Sequence, residues 1–145
     1  MEKSVPVKLL PQTIKDAFLI ARKLDARYIW IDALCIIQDD KEDWDIEARR
    51  MGAIYANSYF TIAATAAEHS GEGFLRSRTL NRVSISFRRS SASEIDGNMY
   101  FRNPSDFIRD QEDYVLGSPL LKRAWVLQET LLSRRTVHFS SKQIY

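Results

Sequence analysis

The stretch Tyr28–Trp44, YIWIDALCIIQDDKEDW, decides the fold class that the sequence predicts. Its first four residues are aromatic or β-branched, which is typical of a short strand buried on both faces. Asp32 falls at the carboxyl end of this predicted strand, where ligands bind in open parallel sheets. Asp32 therefore either faces a ligand crevice or holds the loop leading to Gln38 by hydrogen bonds. On this pattern we slightly favour the structural role.

Helical patterns lie on both sides of the predicted strand. Apolar residues recur at helical spacing in LPQTIKDAFLIARKLDA (10–26) and in DDKEDWDIEARRMGAIYANS (39–58), whose acids gather at the amino end and suit the helix dipole. The apolar, β-branched run Phe60–Ala67 predicts a further strand. This alternation favours a mainly parallel α/β sheet with flanking helices. We expect one domain that spans residues 1–145.

The middle of the chain, residues 76–115, is predicted to be a small antiparallel insertion. VSISFR (83–88) alternates with period two, and NMYFR (98–102) follows the turn signal Asp96-Gly97. Ser118-Pro119 then predicts the first residues of a third long helix. The last segments, RTVHF and KQIY, are predicted to be short closing strands.

The overall composition argues against several classes of partner. The net charge of +2 is too small to favour nucleic acid or an anionic membrane. Residues 1–72 carry 9 basic and 12 acidic groups, whereas residues 73–145 carry 12 basic and 7 acidic groups. Charged side chains on solvent-exposed faces explain this asymmetry. No stretch approaches the ~20 apolar residues that a membrane span needs, and no signal peptide is recognisable. We expect no membrane span and a cytoplasmic location.

The residues that carry reactive side chains form no standard motif. Neither Gly-rich phosphate loop is present. Cys35 is the single cysteine and is predicted to be a small buried hydrophobe, while His69 and His138 are explained as an ordinary loop and strand histidine. The acids between Asp39 and Asp45 could suggest a divalent metal, but no EF-hand glycine accompanies them and a helix amino end explains them. We therefore predict no metal and no cofactor.

Trp125 and Glu129 lie four residues apart on the predicted third helix and so share one face. A carboxylate beside an indole at a crevice would have a raised pKa and could act as a base or stabilise a developing cation. The alternative is an ion pair between Glu129 and Lys122, Arg123 or Arg134. Spacing alone favours the ion pair.

Four segments together resemble, in order and spacing, the fungal HET (heterokaryon incompatibility) domain: LPQTIKDAFLIARKL, YIWIDALCIIQDDKEDWDIEARRMGAIYANSYFTIAA, GEGF and LLKRAWVLQETLLSRRTVHF. The resemblance covers nearly the whole chain. Members of this family take part in non-self recognition between fungal individuals, and fusion of incompatible cells triggers regulated cell death. The resemblance implies the same role here, with protein partners or self-association.

HET domains are in turn similar to TIR domains, which are flavodoxin-like α/β modules that self-associate and in some members hydrolyse NAD. WVLQE resembles the TIR pattern of a tryptophan four residues before the catalytic glutamate. The resemblance implies that Glu129 is catalytic at the nicotinamide ribose, with Asp32 and Trp125 as ligand-binding residues near the same crevice. A fixed carboxylate there would stabilise an oxocarbenium-like state. NAD would be a substrate rather than a cofactor.

The start of the chain departs from the family pattern. HET domains usually begin with a strand reading approximately S-Y-x-W-G ahead of the first helix, whereas this chain begins MEKSVPVKLLPQ. That strand would lie at the centre of a parallel sheet. We expect either a domain truncated at its amino end or a poor replacement of the strand by Val5–Leu9. A non-catalytic interaction module and a degenerate HET fragment are therefore alternatives to an enzyme.

Overall fold

The computed structural model describes residues 6–78, 83–88, 96–101, 103–104, 115–118, 120–122 and 124–145. The described α-helices are α1 (Gln12–Lys23), α2 (Asp32–Cys35), α3 (Lys41–Asn57) and α4 (Ala124–Leu132). The described strands are β1 (Thr61–Ala63), β2 (Val83–Arg88), β3 (Asp96–Phe101) and β4 (Thr136–His138). Short 3₁₀ turns cover Val7–Leu9 and Leu120–Lys122. Within these ranges the protein is a mixed α/β structure.

The described strands form two small sheets. β1 pairs with β4 in parallel, with Thr61 opposite Thr136 and Ala63 opposite His138. β2 and β3 form an antiparallel pair. The predicted antiparallel strands of the middle segment are therefore confirmed, and parallel pairing is confirmed for β1 and β4.

Tyr28–Ile31 differs from the prediction of a buried strand. The backbone of Ile31 is extended, with φ −137° and ψ 121°, but within the described chain these four residues join neither sheet. Tyr28–Ile31 and the β1 residues Thr61 and Ile62 line the same cavity and form no ladder with each other. Tyr28 is 81% exposed, which makes the prediction of burial on both faces wrong.

The segment after Ile31 also folds differently from the prediction. Asp32–Cys35 forms one helical turn, α2, rather than a loop. Successive side chains on a helical turn point in different directions, so Ile36 is buried while Cys35 is exposed. The prediction that Cys35 is a buried hydrophobe is therefore wrong.

The acidic amino end of α3 has the structure that its sequence predicts. The Asp40 side chain caps the helix by accepting hydrogen bonds from the backbone N–H groups of Glu42 (2.9 Å) and Asp43 (3.1 Å). Asp43 accepts a further bond from the backbone of Ile37 at 2.8 Å. These contacts confirm that the acids serve the helix start.

The core contains three buried side chains from different parts of the chain, Ala17, Phe74 and Phe139. The rings of Phe74 and Phe139 have their centroids 4.8 Å apart. Ala17 has a small side chain, so α1 can lie close to these rings. The core thus holds α1 against the loop that follows β1 and against the residue that follows β4.

Three predicted elements are shorter in the structure than the sequence pattern suggested. The third helix was predicted to begin at Ser118-Pro119, but Leu120–Lys122 forms a 3₁₀ turn and the described α-helix begins at Ala124. KQIY (142–145) contributes only one antiparallel bridge, between Ile144 and Phe139. The predicted strand Phe60–Ala67 is likewise limited to β1, because the chain turns after it.

In the part of the chain that the structure describes, no helix combines the length and the apolar character that crossing a bilayer demands.

Candidate functional site

A cavity of about 580 Å³ lies between α1, the segment leading to α2, the carboxyl end of α3 and β1. This volume falls within the ~300–1,000 Å³ that is typical of small-molecule sites. Most of the wall is apolar, as in such sites generally. The aromatic side chains in the wall are Tyr28, Trp30, Tyr55, Tyr59, Phe60 and Phe74.

Tyr55 connects this cavity to α4. It lies near the carboxyl end of α3, is half-buried and lines the cavity. The negative charge of the Glu129 carboxylate acts on its hydroxyl. Helices α3 and α4 pack against each other, which brings the two residues into the same region.

The electrostatic surroundings of Tyr55 include both of the carboxylates that the sequence singled out. Burial raises the pKa of Tyr55, and the negative charges of Glu129 and Asp32 raise it further. Each of these effects disfavours the phenolate. Tyr55 is therefore a neutral hydrogen-bond donor near pH 7. The structure brings Asp32 and Glu129 to act on the same hydroxyl.

Asp32 also has the local contacts that a structural role requires. One carboxylate oxygen accepts the backbone N–H of Ala33 at 2.7 Å. The amide nitrogen of Gln38 donates to the carbonyl of Asp32 at 3.3 Å and to that of Ile36 at 2.9 Å. Asp32 is exposed, so its carboxylate is open to solvent while its backbone holds the turn. These contacts agree with the structural role considered for Asp32, whereas Asp32 is not among the residues that line the cavity.

Glu129 is half-buried on α4, and its backbone is also held. The hydroxyl of Ser133 donates to the carbonyl of Glu129 at 2.6 Å. The predicted neighbour Trp125 lies on α4, but its side chain is outside the described residues. The predicted ion-pair partners Lys122 and Arg123 also have side chains outside the described part.

A row of hydroxyl groups connects the carboxyl ends of α3 and α4. Ser58 donates its hydroxyl to the carbonyl of Tyr55 at 2.8 Å, and the oxygens of Ser58 and Thr61 lie 3.4 Å apart. The oxygens of Thr61 and Ser133 lie 2.7 Å apart. Because the only hydroxyl proton of Ser133 goes to Glu129, Thr61 must be the donor to Ser133.

Sequence reasoning missed this part of the site. It included Tyr55 only as part of the helical pattern of residues 39–58, whose apolar residues form one face, and assigned no role to Thr61 or Ser133. One signal was present, because tyrosine hydroxyl groups generally find a hydrogen-bond partner when they are buried. The identity of that partner depends on how α3 and α4 pack, which helical periodicity does not contain.

The remaining titratable candidates have local explanations. His69 accepts a hydrogen bond from the backbone N–H of Gly71 at 3.2 Å. His138 lies on β4, where burial lowers its pKa. Among the residues that the structure describes, no group of three or more His, Cys, Asp or Glu side chains could hold a metal ion.

The comparison with protein families identifies the family of the chain. A family model described as heterokaryon incompatibility protein (HET) matches residues 2–129. This range includes Asp32, Tyr55 and Glu129. No curated protein and no solved structure matches the chain. Because the family model covers well over half of its length, the chain belongs to the heterokaryon incompatibility protein (HET) family.

Proposed function

We propose that this protein is a HET-type module of fungal non-self recognition that triggers regulated cell death, and that its chemical step is the hydrolysis of NAD. It acts in the cytoplasm, as one domain over residues 1–145, with protein partners or by self-association. Family membership supports the incompatibility role. The fold in this proposal is TIR-like and flavodoxin-like, which the parallel pairing of β1 with β4 supports.

One observation carries the enzymatic part of the proposal. The negative charge of the half-buried Glu129 acts on the hydroxyl of Tyr55, and Tyr55 lines a cavity of about 580 Å³. Asp32 adds a second negative charge near the same hydroxyl. Two carboxylates whose charges act on a residue of the cavity wall provide a field that stabilises positive charge.

The proposed reaction is hydrolysis of the bond between the ribose and the nicotinamide of NAD. The bond between ribose C1′ and the pyridinium nitrogen breaks, and its electron pair goes to the nitrogen, so nicotinamide leaves as a neutral molecule. Positive charge develops on the ribose, and Glu129 stabilises this oxocarbenium-like state. Water then forms a bond to C1′ and its proton passes to solvent. The products are nicotinamide and ADP-ribose.

The direct test compares wild-type protein with Glu129→Gln and with Glu68→Gln. Glu68 is exposed and lies in the loop after β1, so its variant is a matched control. Nicotinamide release from NAD is followed by chromatography, and NAD level and viability are followed in fungal cells that express each protein. Removal of one electrostatic stabiliser typically lowers kcat by about 100- to 1,000-fold. Undiminished NAD loss and toxicity with Glu129→Gln would overturn the enzymatic proposal.

A second candidate function, a non-catalytic module that self-associates, is favoured by the hairpin β2–β3. The register places Val83, Ile85, Phe87, Met99 and Phe101 on one face of this hairpin. All five side chains are between 41% and 66% exposed. An exposed apolar face of this kind is typical of an interaction surface.

This second candidate predicts that mass depends on protein concentration. Light scattering of wild-type protein should show oligomers, and Ile85→Lys should remove them. Ser84→Lys, on the opposite face of the same strand, is the control and should leave the mass unchanged. Oligomers without any nicotinamide release would favour this function over the enzyme, whereas equal masses for all three proteins would exclude it.

A further inference from the structure

Two of the tyrosines in the cavity wall are largely exposed to solvent. Tyr28 lies in the segment that leads to α2 and is 81% exposed. Tyr59 lies shortly before β1 and is 77% exposed. A side chain that lines a cavity and is exposed to this extent lies where the cavity opens to solvent. The two tyrosines therefore form part of the mouth of the cavity, and they come from two different segments of the chain.

An arginine lies over the ring of each of these tyrosines. The guanidinium carbon of Arg27 is 5.5 Å from the centroid of the Tyr28 ring. The guanidinium carbon of Arg135 is likewise 5.5 Å from the centroid of the Tyr59 ring. Both distances are within the ~6 Å at which the face of an aromatic ring attracts a cation. Arg135 is held further by a hydrogen bond from Nη1 to the carbonyl of Tyr59, at 3.2 Å.

Both guanidinium groups can bind an anion. Both side chains are exposed, and among the residues that the structure describes no carboxylate forms an ion pair with Arg27 or with Arg135. The attraction to a ring face is electrostatic, so it leaves the N–H groups of the guanidinium for other acceptors. A planar guanidinium can donate two parallel hydrogen bonds to one phosphate group. The mouth of the cavity is therefore suited to a phosphate-bearing ligand.

The wall behind the mouth is suited to a flat aromatic group. The rings of Trp30 and Tyr55 meet edge to face, with centroids 5.9 Å apart and an interplanar angle of 79°. The rings of Tyr59 and Phe60 meet in the same way, at 5.9 Å and 75°. Aromatic side chains that hold one another in fixed orientations offer surfaces on which a planar ring can stack. Nucleotides carry both a planar ring and phosphate.

We propose that Arg27 and Arg135 bind the pyrophosphate of a dinucleotide at the mouth of the cavity, while the aromatic wall holds one of its rings. This inference rests on the proposed function, because the dinucleotide is taken to be the NAD that the protein cleaves. The two arginines contact no reacting atom. They contribute to the affinity for the ligand rather than to the breaking of the bond.

The first measurement uses ligands that contain no nicotinamide bond. ADP-ribose, adenosine and inorganic pyrophosphate are titrated into the full chain by isothermal titration calorimetry. The proteins compared are wild type, Arg27→Gln, Arg135→Gln, the double variant with both changes, and the control Arg49→Gln. Arg49 is an exposed arginine on α3 that does not line the cavity, so its variant removes the same charge elsewhere.

The affinity for ADP-ribose should depend on both arginines. Arg27→Gln and Arg135→Gln should each weaken ADP-ribose binding by about 3- to 10-fold, as expected for one exposed charge-assisted contact. Adenosine has no phosphate, so its affinity should be the same in all five proteins. Pyrophosphate has no ring to stack and should bind more weakly than ADP-ribose. Added salt should weaken ADP-ribose binding more steeply in wild type than in the double variant.

Several results would overturn the inference. One is the absence of ADP-ribose binding in wild type, and another is equal affinity in wild type and the double variant. An equal loss of adenosine affinity would also overturn it, because the arginines would then act on the shape of the cavity. Melting curves by circular dichroism show whether each variant is folded. Arg27→Lys and Arg135→Lys keep the charge and should retain salt-dependent binding of ADP-ribose, and its loss in these folded variants would contradict an electrostatic role.

Kinetics separates this inference from the proposed function. In the active protein, Arg27→Gln and Arg135→Gln should raise KM for NAD with little change in kcat, whereas Glu129→Gln should lower kcat. If wild type binds ADP-ribose through the arginines but releases no nicotinamide, the hydrolase proposal fails and the nucleotide site stands. If wild type releases nicotinamide and KM is the same in all arginine variants, the hydrolase proposal stands and the pyrophosphate site is refuted.

Discussion

The side-chain oxygens of Thr61 and Ser133 lie 2.7 Å apart, although 72 positions separate the two residues in the sequence. Thr61 begins β1, and Ser133 directly follows α4. The contact therefore lies at the connection between α4, the helix that carries Glu129, and β4, the strand that pairs with β1. The hydroxyl of Ser133 continues to the carbonyl of Glu129, so this single pair connects the parallel sheet with the candidate site.

Thr61→Val should lower the free energy of unfolding by about 1 kcal/mol, the usual value of one such hydrogen bond. Valine keeps the β-branched shape, so the strand itself is preserved. Thr130→Val is the matched control, because Thr130 is exposed and donates only within its own helix, to Val126. Urea unfolding of both variants is the measurement. Equal losses for the two variants would contradict a specific role for the Thr61–Ser133 contact.

We expect the contribution of Asp16 to the free energy of unfolding to be lost at acidic pH. This buried carboxylate accepts hydrogen bonds from the backbone N–H groups of Phe74 (2.7 Å) and Leu75 (3.0 Å) and from Gln12 (2.7 Å). Burial by itself raises its pKa, but the three hydrogen bonds outweigh that effect, so the pKa of Asp16 lies below its ordinary value.

A lowered pKa means that the unfolded state binds more protons than the folded state near pH 4. The stabilisation is therefore complete above that pH and is lost as pH falls through the folded pKa. Urea unfolding across this range should show a loss at acidic pH in wild type that is smaller in Asp16→Asn. Asp25→Asn, in an exposed turn, is the control and should retain the wild-type dependence. Identical profiles for wild type and Asp16→Asn would refute the assignment.

Gly73 should tolerate no side chain. Its φ is +76°, and a Cβ atom there would lie 2.6 Å from a carboxylate oxygen of Asp16 and 2.8 Å from Gln12. Gly73→Ala should cost about 2 kcal/mol or more, from backbone strain together with the displaced carboxylate. In the same loop, Gly71→Ala meets only the His69 side chain, at 3.3 Å, and should change stability by less than about 0.5 kcal/mol. Thermal unfolding that ranks the two variants the other way would disprove this account.

We expect replacement of Arg78 by lysine to lower the stability of the protein. Its guanidinium donates to the carbonyls of Ser140 and Phe74, each at 2.9 Å, and of Arg76 at 3.1 Å. A lysine ammonium cannot match this planar, divergent set of donors, so Arg78→Lys should cost about 1–3 kcal/mol. Arg76→Lys, which alters a more exposed arginine paired with Glu72, should cost less than about 1 kcal/mol. Chemical denaturation of both variants measures this difference, and similar losses would contradict it.

Local patterns were sufficient to predict the helices that bury one face and the hairpin. The helical spacing of apolar residues located α1 and α3, and Asp40 caps α3 as its place before an acidic first turn suggests. The period-two alternation of VSISFR predicted β2, whereas Asp96-Gly97, interpreted as a turn signal, lies within β3 and pairs with Arg88 and Phe87. Each of these features depends on residues that are near one another in sequence. Apolar residues recur about every 3.6 residues in a helix and every 2 residues in a strand, and both spacings are visible in the sequence.

The sequence by itself determined the family, the α/β class and the carboxylates Asp32 and Glu129 as candidates. Only the tertiary structure decided that Tyr28–Ile31 joins neither of the described sheets and that Tyr55 lies where the charge of Glu129 acts on it. The physical reason is the same in both cases. A β-branched run indicates only that its backbone favours an extended conformation. A tyrosine on the apolar face of a helix indicates only that a side chain with an apolar ring and a polar hydroxyl lies there. Whether a partner lies within hydrogen-bonding distance depends on the packing of segments that are remote in sequence.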